Sequence, residues 1–546
     1  MNRARPGRLA LRRCSSRLPI ALLVAAALLA ASHTHAASSL SSEVLIEPVG
    51  EFTGDVFGCS VAWIGDVNGD GYDDFLIGAF RFPEIASYGK AYLYFGGPSL
   101  DDVADLVIPS PPGNTAWFGV SVASAGDFNG DTWPDFIIGA QQSGLEGKAF
   151  VYCGGPSLDA TPDLTLVGES TGALTAFGQS VAPAGDLNDD GFDDVIVGAP
   201  LYGNRPGRAY VFFGAAAPDA VPDRVFNGLA FNDQLGSVVG SAGDLNGDGY
   251  LDVFASAPAS SAGALGAGAI YVWFGGPGFD TTSDLTLLGS AASERLMYAA
   301  NAGDINADGF SDLVGAGRSQ VRVWFGGATP NAVPDLTIGR TFATVAGAGD
   351  VNGDGVADFV VGAPYASNGA GLAGRVSLYY GSSAADTVED HYYVPDQPGG
   401  NLGLCVAGGG RVDGAGPTDV IASATYDPEF IGYNQGRVYV FGNSFEPTVV
   451  PPPSPAVGVR FLGPSPNPAS NAVTLAMELD RAVPVRVTVF DLAGHEVARP
   501  IDDEWLSGRI TRAWRPAGLA SGVYYVRAQL GETWQIRKLV WLGDRR

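Results

Sequence analysis

Six times the chain writes Asp-x-Asn-x-Asp-x-x-x-Asp, beginning at Asp66, Asp127, Asp186, Asp244, Asp304 and Asp350. Each copy crowds three carboxylates and one amide into nine residues, and such a cluster repels itself unless a cation is present. Oxygen-bearing side chains at positions 1, 3, 5 and 9 have the spacing of a Ca²⁺ loop. The copies recur at intervals of 61, 59, 58, 60 and 46 residues. A period near sixty means a repeat architecture, which decides the fold before any local reading.

The first unit reads as four short strands separated by Gly, Pro and Asp turns. Phe57–Ala62 alternates in the strand manner and leads into the acidic loop. Phe75–Ala79 is a short apolar run, Lys90–Gly97 comes after a variable loop, and Leu106–Ile108 closes the unit. No stretch sustains a helical period. A worn seventh unit opens at Leu402 and has its third strand at 437–441. There Arg411, Asp413 and Ala415 fall at positions 1, 3 and 5 before Asp419. Having lost two of three acids and gained an Arg, that loop is expected to hold no metal. Seven four-stranded units predict an all-β chain built on a seven-bladed β-propeller. The seventh unit lacks a fourth strand, and an orphan copy of one sits at Glu43–Glu51. It is expected to complete the last blade beside 437–441 and so hide two open edges.

These residues resemble the FG-GAP repeats of the integrin α-subunit propeller and its bacterial relatives, over residues 43–443. The resemblance implies metal loops in the hairpins between first and second strands, on one face of the disc. It also implies Ca²⁺ held by side chains at positions 1, 3, 5 and 9 and by the position 7 carbonyl. The ligand sets are then Asp66, Asn68, Asp70, Tyr72 and Asp74; Asp127, Asn129, Asp131, Trp133 and Asp135; and Asp186, Asn188, Asp190, Phe192 and Asp194. The remaining three are Asp244, Asn246, Asp248, Tyr250 and Asp252; Asp304, Asn306, Asp308, Phe310 and Asp312; and Asp350, Asn352, Asp354, Val356 and Asp358. The second loop carries Thr132 and Pro134, a less permissive turn, so five or six ions per chain are expected. An EF-hand is excluded, because position 12 is never Glu.

Residues 1–36 read as a signal peptide, with six arginines before an apolar stretch from Ile20 to Ala31 and a cleavage site at Thr34-His35-Ala36. No segment of the mature chain is long enough to span a membrane. Removing those arginines takes the net charge from −27 to −33, which excludes non-specific nucleic-acid binding. Eighteen of the acids are the position 1, 5 and 9 carboxylates of the six loops, and the rest read as a solubilising surface. Cys59, Cys153 and Cys405 are expected as buried free thiols.

Residues 444–459 form a proline-rich linker. Residues 460–546 form a small β domain that resembles the C-terminal sorting domain of type IX secretion cargo, an immunoglobulin-like β-sandwich related to the flagellar hook-cap domain. That resemblance implies the secretion machinery as a partner and a place outside the cell, or on the outer surface, of a Gram-negative-type bacterium.

Catalysis finds little support. The mature histidines are His391 and His495, and Gly-x-Ser-x-Ala at Gly58, Gly119 and Gly178 is repeat grammar rather than a nucleophile elbow. The expectation is a non-enzymatic adhesive or scaffold propeller with an extracellular protein or glycan ligand. The alternative is a secreted enzyme acting on polysaccharide through carboxylates outside the repeats. The loops between second and third strands vary most, and those of blades six, seven and one are rich in aromatics. Phe82, Tyr88, Tyr365, Tyr426, Phe430 and Tyr433 are therefore the expected ligand contacts.

Overall fold

The computed structural model describes residues 42–542 apart from 53, 82–87, 114, 204, 368–372, 395–399, 415, 425–435, 444–458, 466–468, 470–471, 492–494, 517–518 and 531–532. The signal peptide and the proline-rich linker lie outside the described residues. The chain divides into two compact units, Met1–Glu446 and Pro447–Arg546.

The first unit holds seven four-stranded antiparallel sheets and, among the described residues, no helix. In blade one the strands are Ser60–Gly65, Asp74–Ala79, Lys90–Tyr94 and Leu106–Pro109, paired in chain order. The second strand of each blade is buried along its whole length or nearly so. This is why these segments read as unbroken apolar runs instead of alternating. Apolar cores lie between adjacent blades: Ile64, Leu76 and Leu93 of blade one pack with Phe118, Phe136 and Phe150 of blade two.

The blades are held at close range by glycines. A Cβ on Gly78, Gly139, Gly198 or Gly362 would stand 2.0–2.2 Å from the carbonyl oxygen of Gly119, Gly178, Gly236 or Gly403 in the next blade. A second set of contacts joins the start of one third strand to the opening of the next blade. Gly89 bridges Phe118, Gly147 bridges Phe177, Gly207 bridges Leu235, Gly268 bridges Leu296 and Gly374 bridges Leu402. Hydroxyls add to the ring: Ser60 donates to the Gly119 carbonyl at 3.0 Å, and Ser121 accepts from the Val181 amide at 3.1 Å. The serines of the Gly-x-Ser-x-Ala copies thus sew blades together. Cys59 Sγ turns to the Gly119 carbonyl, 3.3 Å away, while Cys405 Sγ turns to the Cys59 carbonyl at 2.9 Å. The two thiols succeed one another round the ring, and all three cysteines are free.

Ring closure uses the N-terminal segment. Ser42–Ile46 is the fourth strand of blade seven, antiparallel to Arg437–Asn443, with Val44 opposite Phe441 and Val49 bridging Arg437. Ile46 is buried, and Glu47 pairs with Arg437.

The second unit is a five-stranded sheet, Val459–Ser465, Val473–Phe490, Glu496–Trp514, Gly522–Leu530 and Thr533–Trp541. The first strand begins one residue before the expected boundary at 460. Instead of separate sheets facing each other, one continuous hydrogen-bonded sheet wraps a single core of Phe461, Leu475, Val487, Val526 and Trp541. The long strand Val473–Phe490 makes this possible, since a register shift between Leu479 and Val483 lets it serve both halves.

Deleting residues 42–50 exposes the edge of blade seven and removes Ile46 from its core. Aggregation, or a fall in melting temperature of about 5 °C or more, is expected. Deleting 447–546 is expected to leave the propeller's melting transition in place. Size-exclusion chromatography and calorimetry of the two truncations check both outcomes.

Candidate metal centres

Each acidic motif forms the hairpin between the first and second strands of its blade, so the six loops share one face of the disc. Within a loop the backbone folds around the position 1 carboxylate. Asp66 Oδ1 accepts from the amides of Gly69 and Asp70 at 2.6 and 3.0 Å, and Oδ2 from Gly71 at 2.8 Å. Asn68 Oδ1 accepts from the Asp70 amide, its Nδ2 donates to Asp70 Oδ2, and Asp70 Oδ1 takes the Tyr72 amide. The same wiring recurs at Asp244–Tyr250 and Asp350–Val356. Glycine at position 6 is required by its backbone, with φ between 89° and 93° at Gly71, Gly191, Gly249, Gly309 and Gly355. In the second loop Thr132 adopts φ 77° to keep the fold, a strained conformation for a β-branched residue.

Position 9 plays a different part. Asp74, Asp135, Asp194, Asp252, Asp312 and Asp358 are all fully buried. Oδ2 of each accepts the amide at position 2 of its own loop, at 2.8–3.1 Å. Oδ1 accepts the amide of a glycine just past the third strand, at 2.8–3.0 Å, from Gly96 in blade one to Gly381 in blade six. Burial pushes all six carboxyls up to about 7 against the pull of these amides, and the loop acid at position 5 adds to the rise. Blade seven has lost the acids at positions 1 and 5, yet its Asp419 is equally buried and still accepts the Val412 amide at 2.9 Å.

Among the described residues no three Asp, Glu, His or Cys side chains are drawn into a ready cation cage. Positions 1 and 5 also accept backbone amides, and the Asn amide oxygen and the position 7 carbonyl are the neutral donors beside them. In the second loop, Asp127 Oδ1 is buried with no partner among the described residues. An orphaned carboxylate oxygen of this kind fits a cation.

The opposite face carries the variable loops. Phe82, Tyr426, Phe430 and Tyr433 lie outside the described residues. Tyr88 and Tyr365 are both about half exposed, and they are not brought together. Tyr365 packs edge-on against Phe342, with ring centroids 5.7 Å apart, and lines a cavity that Tyr88 does not reach. In blade one, Phe80 packs against Trp117 at 4.8 Å, so that aromatic covers its neighbour. His391 lies on the fourth strand of blade six, its ring against Tyr393, and burial lowers its pKa.

A further set of acids is not singled out by the sequence pattern alone. Asp105, Asp163, Asp223, Asp284, Asp335 and Asp390 each accept, at 2.7–2.9 Å, the amide of the residue after the third strand. Their recurrence ten residues past that amide is visible in the chain. They tie the third-to-fourth turn of six blades, so this part of the acidic excess serves structure as well as solubility.

The FG-GAP repeat family matches residues 57–94, 118–152, 177–212, 236–273 and 342–379. The secretion system C-terminal sorting domain matches 465–541. The chain is 32% identical to integrin alpha-5 of Xenopus laevis over 247 residues, 42% of this chain and 22% of that protein. It is 32% identical to integrin alpha-V of Gallus gallus over 38% of this chain and 20% of that protein, and 34% identical to human integrin alpha-7 over 31% and 15%. The chain thus spans about a fifth of the length of these relatives.

Separating the two carboxylate roles needs two variants. Asp194→Ala leaves the buried Leu187 and Gly214 amides unpaired and should cost on the order of 3 kcal/mol already in calcium-free buffer. Asp190→Ala, on the exposed loop, should cost under about 1 kcal/mol in calcium-free buffer. Denaturant titrations with and without chelator check the pair. The chain thus carries five FG-GAP repeats similar to those of integrin alpha subunits, joined to a secretion system C-terminal sorting domain.

Proposed function

We propose that this chain is a secreted or surface-displayed, calcium-loaded propeller that binds an extracellular partner and catalyses no reaction. The observation that carries the calcium reading is the contrast between six loops and the seventh. Blade seven folds its hairpin around Asp419 without acids at positions 1 and 5. The fold therefore does not require those acids, and their sixfold recurrence answers to a different need. Divalent cations supply it: the ion would lie among the position 1, 3 and 5 side chains and the position 7 carbonyl. The position 9 carboxylate, which accepts two backbone amides, would complete the set. Bound there, the ion offsets the charge of acids that otherwise repel one another.

The sorting domain supports export, with the secretion machinery as its partner and the outer surface of a Gram-negative-type bacterium, or the medium, as its destination. Among the described residues no helix is long and apolar enough to cross a membrane. Binding is supported over catalysis by the cavity on the variable face, whose lining includes two arginines and two exposed aromatics and no carboxylate. That lining does not favour hydrolysis of polysaccharide by an acid pair.

Calcium titration of the chelated protein, read by calorimetry and metal analysis, should give five or six ions per chain. Extracellular sites bind at roughly 10⁻⁴–10⁻³ M, and at about ten times Kd each site adds about 1.4 kcal/mol. Chelation should therefore lower the melting temperature, and two ions or fewer at saturation would refute the reading.

A further inference from the structure

The repeat breaks its own rules at one junction. In every blade a residue with positive φ precedes the buried anchor that opens the blade: Val56, Trp117, Ala176, Gln234, Arg295, Phe342 and Asn401. The anchor itself is Phe57, Phe118, Phe177, Leu235, Leu296 or Leu402, each almost wholly buried. In blade six it is Ala343, and the strand Thr344–Gly349 starts directly after it. The Gly of the Phe-Gly pair is missing there, as it is in blade five, where Met297 follows Leu296. The glycine lock is also absent on the facing side, where blade five has Ala316 in place of Gly78, as blades four and seven have Ser256 and Ser423, but only here do these losses coincide with a small anchor. Among the described residues no backbone bridge joins the start of the blade-five third strand to Ala343, unlike the five junctions that carry one.

A cavity of about 290 Å³ opens at this junction. Arg295, Arg318, Tyr298, Phe342 and Tyr365 furnish its polar and aromatic lining, over a floor that includes Ala316 and Ala343. Arg318 is exposed and Arg295 partly so, and neither joins an ion pair among the described residues. In a chain with 58 acids against 31 bases, a cavity holding two unpaired guanidiniums and no carboxylate runs against the protein's overall charge. Beneath it, Arg322 is engaged by the buried Glu294, which also caps the Ser290 and Ala291 amides. That acid is spent and does not neutralise the rim. The FG-GAP match skips blade five alone among the six blades with an acidic loop. On its loop face blade five is intact, since Asp308 takes its usual place and Asp312 its buried one. Apart from Ala307 at loop position 4, its divergence lies on the face of the cavity.

We propose that this cavity is a binding site for a sugar residue carrying a carboxylate, a hexuronic acid, held by Arg295 and Arg318 with its ring against Tyr365 and Phe342. The proposal deepens the binding role proposed above and rests on it. Guanidinium donors match a carboxylate in bidentate geometry. The tyrosine hydroxyl and remaining guanidinium donors serve ring hydroxyls, and exposed aromatic faces cover the apolar side of a pyranose. The volume sits at the small end of ligand pockets, which suits one ring. An acidic peptide can also meet an arginine pair, but it has no pyranose face for Tyr365 and Phe342 to cover, and the test below includes one.

Calorimetry on the calcium-loaded full chain tests this with four probes: a galacturonic acid trimer, a glucuronic acid-terminated trimer, the methyl ester of the first, and a glutamate tripeptide. At least one uronate trimer should bind ten-fold or more tightly than the methyl ester and the tripeptide. Arg318→Gln and Tyr365→Ala should each weaken that binding ten-fold or more with an unchanged melting temperature. Arg295→Asn, a change that tolerates positive φ, gives a second charge-removing variant. Binding of the ester or the tripeptide as tightly as the uronates would overturn the carboxylated-sugar assignment while leaving a binding propeller. Uronate binding unaffected by all three variants would place the site elsewhere and also overturn it. No binding by any probe overturns it too, and the calcium reading is decided separately by ion count.

Discussion

A single buried carboxylate organises each blade. The aspartate at the start of the second strand takes one amide from the hairpin before it and another from the turn after the third strand. It thereby fixes the loop to the sheet and the second strand to the turn that leaves the third. Its neighbours are apolar, so an amide left without it would be buried and unpaired. Blade seven retains this aspartate after losing the rest of its acidic motif. Around this staple the loop acids are free to answer to a cation, and the residues on the far face are free to answer to something else.

Much of this was legible in the sequence because a repeat multiplies weak signals. One Asp-x-Asn-x-Asp would have been a turn; six in register gave the period and the strand order, and the orphan fourth strand at 43–51 gave ring closure, which the structure makes with Ser42–Ile46. The thiols are free as expected, though partly rather than wholly buried, and Cys59 and Cys405 each turn to a different carbonyl. Position 9 was harder to read, because nothing in the chain shows that its carboxylate also carries two buried backbone amides. The second unit also resisted, since a register shift inside one long strand decides whether two layers are separate sheets, and such a shift leaves no distinct residue pattern.

The ligand face was the least legible. Aromatic content pointed to blades six, seven and one, but a ring in a loop can pack on its neighbour, as Phe80 does on Trp117. Tyr365 was found by that reasoning, while its partner Phe342 was hidden because the sequence aligns it with the Phe of the repeat. The backbone shows that it occupies the position before, where φ is positive in every blade. What marks the cavity is a set of losses: a smaller anchor, a missing glycine, a missing bridge. Losses show only when a repeat is compared with its siblings in three dimensions.

The two faces can therefore change independently. Strands run from one face to the other, and each blade's buried aspartate lies at the loop end of its second strand. The anchors and glycine locks lie at the opposite end. Blade seven has lost its loop acids and kept Leu402 as an anchor that bridges Gly374. Blades five and six have kept their loop acids and given up contacts at the other end, between Ala316 and Ala343. Each loss is tolerated because the contacts at the far end of the same blade still hold it in the ring. A propeller of near-identical units can in this way keep its acidic loop face and alter a single junction on the other face.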